Sequence, residues 1–122
     1  MELTITTATN LKPKPADDKL GFGTLFTDNM FSMDYAPDKG WHNARIEPYQ
    51  PISMDPATMV MHYGQGVFEG LKAYHTEDGK IQLFRPLDNF KRLNNSCRLL
   101  CIPEFDENEA LDFDFAYYPS QN

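Results

Sequence analysis

The sequence predicts an α+β domain in which a mainly antiparallel sheet is flanked by helices. Two turn signals and one helical stripe carry that expectation. Pro37-Asp38-Lys39-Gly40 and Thr76-Glu77-Asp78-Gly79-Lys80 each lie between short apolar runs, as hairpin connections do. Leu87, Phe90, Leu93, Cys97, Leu100 and Cys101 form a helical stripe opened by Pro86 and closed by Pro103.

The elements follow in chain order. Residues 1–20 contain Lys12-Pro13-Lys14-Pro15, and two prolines so close oppose a helix, so an extended arm is expected, either loose or laid on a neighbouring surface. From Phe22 to Tyr35 a strand is expected, with Phe31, Met33 and Tyr35 alternating with Ser32 and Asp34. Trp41 to Tyr49 returns as its hairpin partner. Residues 65–70 are read as a short helix edged by glycines. Leu71–Tyr74 and Ile81–Phe84 make a second hairpin, and the helix from Pro86 follows. Asp106 with Glu109 three residues later resembles a capping box for another helix, but the expected helix does not develop. Beyond it Phe113, Phe115 and Tyr117 alternate, which reads as strand. The expected division is an arm at 1–20, a small domain at 21–104 and a divergent acidic tail at 105–122.

Composition bounds the function classes. The chain has 122 residues, 41% hydrophobic and 24% charged, which suits one soluble domain with its own core. No apolar run approaches the roughly 20 residues of a membrane span. The beginning of the chain has no basic leader, so a cytoplasmic setting is expected. Net charge is −7. Up to Pro103 the charges nearly cancel, and Glu104, Asp106, Glu107, Glu109, Asp112 and Asp114 supply the excess. Neither part has the basic surface that nucleic acid requires. Cys97 and Cys101, four apart on one helix, are expected as small buried hydrophobes, with no disulfide between them and no metal site.

The densest stretch runs from His62 through Tyr63-Gly64-Gln65-Gly66-Val67-Phe68-Glu69-Gly70-Leu71-Lys72-Ala73 to Tyr74, with three glycines, three aromatics, a carboxylate and a lysine. Together with Phe22-Gly23-Thr24-Leu25-Phe26-Thr27-Asp28, Gly40-Trp41, Arg45-Ile46, Leu83-Phe84-Arg85-Pro86, Asn89-Phe90-Lys91-Arg92-Leu93 and Ile102-Pro103-Glu104, it resembles the branched-chain amino acid aminotransferases. These are pyridoxal phosphate enzymes of fold type IV. The resemblance spans about residues 22–104, in the right order. It implies the small N-terminal domain of that fold, a sheet flanked by helices. Within fold type IV, D-amino acid aminotransferases and aminodeoxychorismate lyases usually lack the lead-in from Phe22 and the wording of residues 68–73.

Pyridoxal chemistry needs a lysine to form an imine, a carboxylate to hold the ring nitrogen protonated, donors for the phosphate and an apolar pocket. The resemblance assigns the phosphate to Arg92, whose planar fork of donors suits phosphate oxygens. The alternative is a solvated arginine on the outer helix face. It assigns the substrate pocket to Tyr63 and Phe68, with Phe22 as a third wall, against the alternative that all three are core. Lys72 is rejected as the imine former, because the family carries that lysine in its second domain. Glu69 is expected to be structural, pairing with an arginine. His62 is read as a structural histidine beside a pocket tyrosine.

The implied reaction moves an amino group between leucine, isoleucine or valine and 2-oxoglutarate, and the implied assembly is a homodimer. A second reading is a non-catalytic fragment or interaction module of the same origin. After Glu109 the resemblance decays, and either a shifted reading frame or a cut within a longer protein accounts for it. No catalytic residue proper is assigned within the sequence.

Overall fold

A computed structural model describes residues 1–121. The chain divides into two compact units. One holds residues 1–51 together with the chain from Phe115 onward, and the other holds Ile52–Asp114. The architecture is α+β with antiparallel-dominated sheets and flanking helices, as predicted.

The first unit is built on a three-stranded sheet. Its strands are β1 (Leu3–Ile5), β2 (Asn29–Ala36) and β3 (Gly40–Pro48), in the order β1-β3-β2. β2 and β3 form the predicted hairpin around residues 37–39, with Ala36 opposite Gly40. β3 is the central strand, and its Ala44 and Ile46 are almost wholly buried. β1 adds in parallel on the other side of β3, with Leu3 opposite Ala44 and Ile5 opposite Ile46. The start of the arm is therefore laid on the sheet. Its continuation is tied down as well. Ala8 N–H donates to Asn29 Oδ1 at 2.7 Å, Lys12 N–H donates to Asp28 Oδ1 at 3.0 Å, and the Lys12 ammonium sits 5.1 Å from the centre of the Tyr49 ring.

Two expectations for this unit need correction. The strand begins at Asn29, not at Phe22: Gly21 and Gly23 both take positive φ, which breaks an extended run. The aromatic face of β2 is also more open than predicted, with Phe31 37% and Tyr35 44% exposed. β2 is an edge strand of a three-stranded sheet, and its buried residue is Asn29 at the start, while the central strand buries Ala44 and Ile46. A bulge interrupts the hairpin between Ser32 and Asp34, where Asn43 adopts φ 56° and its Nδ2 donates to Asp34 Oδ2 at 2.7 Å. That hydrogen bond, with Arg45 3.1 Å from the same oxygen, holds the Asp34 carboxyl below its usual range.

The second unit holds α1 (Met59–Tyr63), β4 (Ala73–His75), β5 (Ile81–Leu83) and α2 (Pro86–Leu99). β4 and β5 make the second predicted hairpin. Its turn closes through Gly79 N–H to the Thr76 carbonyl at 2.9 Å, with Gly79 at φ 77°. α2 buries Asn94 and Cys97. It ends in a Schellman motif: Ile102 N–H bonds the Cys97 carbonyl, Cys101 N–H bonds the Arg98 carbonyl, and Cys101 sits at φ 55°. Cys101 is consequently exposed, against expectation, because the helix has already ended there. Both cysteines are free thiols.

α3 (Glu107–Tyr117) begins in the second unit and ends in the first. The sequence reads residues 113–117 as strand, and the structure corrects this to helix. The capping residue is the one predicted: Asp106 Oδ1 accepts from the N–H groups of Asn108 and Glu109 at 2.9 and 2.8 Å. Within the first unit the Tyr117 hydroxyl donates to the Asn29 carbonyl at 3.0 Å. Among the described residues no helix is long and apolar enough to cross a membrane.

Candidate functional site

The candidate site is built on the irregular segment between α1 and β4 and on the first half of α2. α1 starts from a turn in which Asp55 Oδ1 accepts from Ala57 N–H at 2.7 Å and the Asp55 carbonyl accepts from Thr58 N–H at 2.9 Å. It stops at Gly64, which takes φ 62° and serves as a left-handed C-cap. Residues 64–72 then run without regular structure. The short helix expected over residues 65–70 is absent. Gly66 and Gly70 in that stretch weaken helix propensity, and the left-handed cap at Gly64 ends one helix without starting another. His62 Nε2 lies 2.6 Å from the Pro56 carbonyl, so Nε2–H is the donor and the ring secures the turn before α1.

Glu69 anchors this segment to α2. Its Oε2 accepts from Arg92 Nε at 2.6 Å, and its Oε1 accepts from Arg92 Nη2. Asn89, one turn before Arg92, donates from Nδ2 to Glu69 Oε1 at 3.2 Å and to the Gly70 carbonyl at 2.9 Å. Gly70 N–H adds a further bond to Oε1 at 2.9 Å. The Arg92 hydrogen bond is the main cause that lowers the Glu69 carboxyl to about 2, with Gly70 and Asn89 adding to it. Arg92 is shifted upward by the same pairing. The arginine partner expected for Glu69 is therefore Arg92. Asn89 carried no assignment in the sequence; its only signal was the spacing of three to Arg92.

The pocket residues are placed as follows. Tyr63 closes α1 and is 78% exposed, and Phe68, next to Glu69, is 93% exposed. Phe68 and Arg92 are thus brought to one locality through Glu69. Phe22 belongs to the first unit and is fully exposed. None of the three is a core residue, which was the competing expectation. The first unit also carries an open groove of about 230 Å³, lined by Lys12, Lys14, Leu20, Leu25, Phe26 and Asp28 among others, without Phe22.

Chemically, the arrangement can bind an anion. The Glu69 pairing uses Nε and one hydrogen of Nη2, which leaves the Nη1/Nη2 end of the guanidinium open on a side chain that is 68% exposed. This fits the phosphate of pyridoxal phosphate. The imine-forming lysine and the carboxylate for the ring nitrogen are not identified among the described residues: every lysine, Lys72 included, is exposed, and Glu69 is committed to Arg92. No cluster of His, Cys, Asp and Glu among the described residues could hold a metal ion.

Branched-chain-amino-acid aminotransferase 2 of Bacillus subtilis is 62% identical over 101 residues, covering 83% of this chain and 28% of that protein. Branched-chain-amino-acid transaminase 1 of the same organism is 55% identical with the same coverage. The branched-chain-amino-acid aminotransferase of Mycolicibacterium smegmatis is 49% identical over 120 residues, covering 92% of this chain and 32% of its relative. No family model matches the chain. The chain spans about a third or less of the length of these curated relatives. Over most of its residues the chain is thus similar to the N-terminal part of proteins named as branched-chain-amino-acid aminotransferases.

Proposed function

We propose that the chain supplies the N-terminal portion of a branched-chain amino acid aminotransferase, which passes an amino group between leucine, isoleucine or valine and 2-oxoglutarate. The observation that carries this reading is the 62% identity over 83% of the chain to an enzyme named for that activity. Pyridoxal 5'-phosphate, when bound, supplies the electron sink of the reaction. Arg92 holds the phosphate with the open end of its guanidinium. Tyr63 and Phe68 offer apolar walls suited to side chains that carry no polar group, and Phe22 is given the same role on the resemblance alone. Their exposure supports this reading, since rings so uncovered contribute little to a core. Residues 21–104 are the portion that carries the site, with 1–20 as an arm and 105–122 as a divergent tail. A cytoplasmic homodimer is the setting that the resemblance implies.

The reacting amine comes from the remaining two-thirds of the relatives' length, so these residues alone are non-catalytic. A chimera tests the assignment. The matched N-terminal part of the Bacillus subtilis aminotransferase is replaced by this chain, and leucine transamination is followed. Retained activity is expected, and a soluble, folded chimera without activity would overturn the proposal. The isolated chain, mixed with pyridoxal 5'-phosphate and treated with borohydride, should retain no bound chromophore beyond what exposed lysines take up nonspecifically.

A further inference from the structure

Glu69 and Arg92 differ sharply in environment. The Glu69 side chain is 11% exposed, while that of Arg92 is 68% exposed. The carboxylate is fixed from its own side by Asn89 Nδ2 and Gly70 N–H. It grips the guanidinium along the Nε/Nη2 edge. A solvated arginine samples many rotamers, and ordering it costs conformational entropy when it binds. Here that ordering is already in place before any ligand arrives. The planar guanidinium has two forks, and the carboxylate occupies the side fork only. The end fork, formed by Nη1 and the second hydrogen of Nη2, stays open for another oxygen pair.

We propose that Glu69 is a positioning residue for an anion site at Arg92, clamping the guanidinium plane so that its end fork meets a phosphate monoester. The inference rests on the reading of Arg92 as the phosphate residue. A second negative charge next to a phosphate opposes binding, and the preorganised fork outweighs it. Asn89 assists by holding the carboxylate in the plane of the arginine.

The test uses the full chain with two probes, pyridoxine 5'-phosphate and pyridoxine. Both lack an aldehyde, so exposed lysines do not react with them. Affinities are taken from calorimetry, and the Arg92 Nε–H resonance is followed by NMR. The unmodified chain is expected to prefer the phosphorylated probe, and Arg92→Ala to abolish that preference. Glu69→Gln is expected to weaken the phosphorylated probe about tenfold, the scale of one oriented charge-assisted hydrogen bond, and to leave pyridoxine unchanged. A purely structural role would weaken both probes alike. Should Glu69→Gln fail to fold, Asn89→Ala is expected to lower the preference in the same direction. If Arg92→Ala removes the preference while Glu69→Gln, or Asn89→Ala in its place, leaves it unchanged or raises it, the inference fails and the reading of Arg92 stands. If the unmodified chain shows no preference, or Arg92→Ala does not alter it, the reading of Arg92 fails and the inference goes with it.

Discussion

Asn94 holds Phe105 by both of its backbone polar groups. Its Nδ2 donates to the Phe105 carbonyl at 2.8 Å, and its Oδ1 accepts from the Phe105 N–H at 3.1 Å. Asn94 is 3% exposed and also reaches Glu107 Oε1 at 3.2 Å. One side-chain amide in mid-helix thereby fixes where the chain runs between α2 and α3, and edge-to-face contact of Phe90 with Phe105 at 6.2 Å supports the same approach.

Asn94→Ala is expected to cost about 2–4 kcal/mol, since three hydrogen bonds are lost and the Phe105 groups are left unpaired. Urea unfolding checks it. A loss below about 0.5 kcal/mol would mean that water replaces the amide at no cost.

Cys101→Gly is expected to stabilise the chain by about 1 kcal/mol. Cys101 occupies the left-handed position of the Schellman motif that ends α2, at φ 55°, where a Cβ is penalised and glycine is not. A rise in the thermal midpoint checks it.

The two thiols should react at very different rates. Cys101 is exposed, whereas Cys97 is buried, and burial raises its thiol above the ordinary value. Timed alkylation followed by mass spectrometry should give one fast addition, lost in Cys101→Gly. Two additions at one rate would contradict the placement of Cys97.

Asp114 and Glu69 should tilt the pH dependence of stability in opposite directions. Desolvation raises Asp114 from an ordinary 3.8 to about 6, and its Oδ2 is buried without a hydrogen-bond partner among the described residues. The folded chain binds this proton more tightly than the unfolded chain, so stability falls as pH rises from about 4 to about 6. Asp114→Asn should remove that slope and gain about 1–2 kcal/mol at neutral pH. Glu69 is lowered from 4.5 to about 2, so its contribution is present above about 4.5 and is lost as pH falls towards 2. Glu69→Gln should flatten that acid limb. Denaturant midpoints across pH 2–7 for the two variants separate the effects.

Local chemistry was legible in the sequence wherever a single residue decides the backbone. Pro86 begins α2, Asp106 caps α3, and the turns at 37–40 and 76–80 close hairpins. The strand reading of residues 113–117 failed for a definite reason. Over residues 111–115 apolar and acidic residues alternate one by one and the aromatics continue to Tyr117, which imitates the period of a strand, while at 100° per residue the same pattern spreads around a helix. The cap and the burial of Phe113 settle the competition. Cys101 was misplaced because a helical stripe does not show where the helix stops.

By itself the sequence determined the likeness to the branched-chain-amino-acid aminotransferases, the fold class and the hairpins. These depend on order along the chain: turn chemistry, caps and motif wording act within a few residues. The tertiary structure alone decided that Glu69 meets Arg92 across 23 residues, that Asn89 joins them, and that β1 lies parallel on β3. Such pairings depend on how separate elements pack, and composition and periodicity specify which side a residue faces, not which partner it finds there.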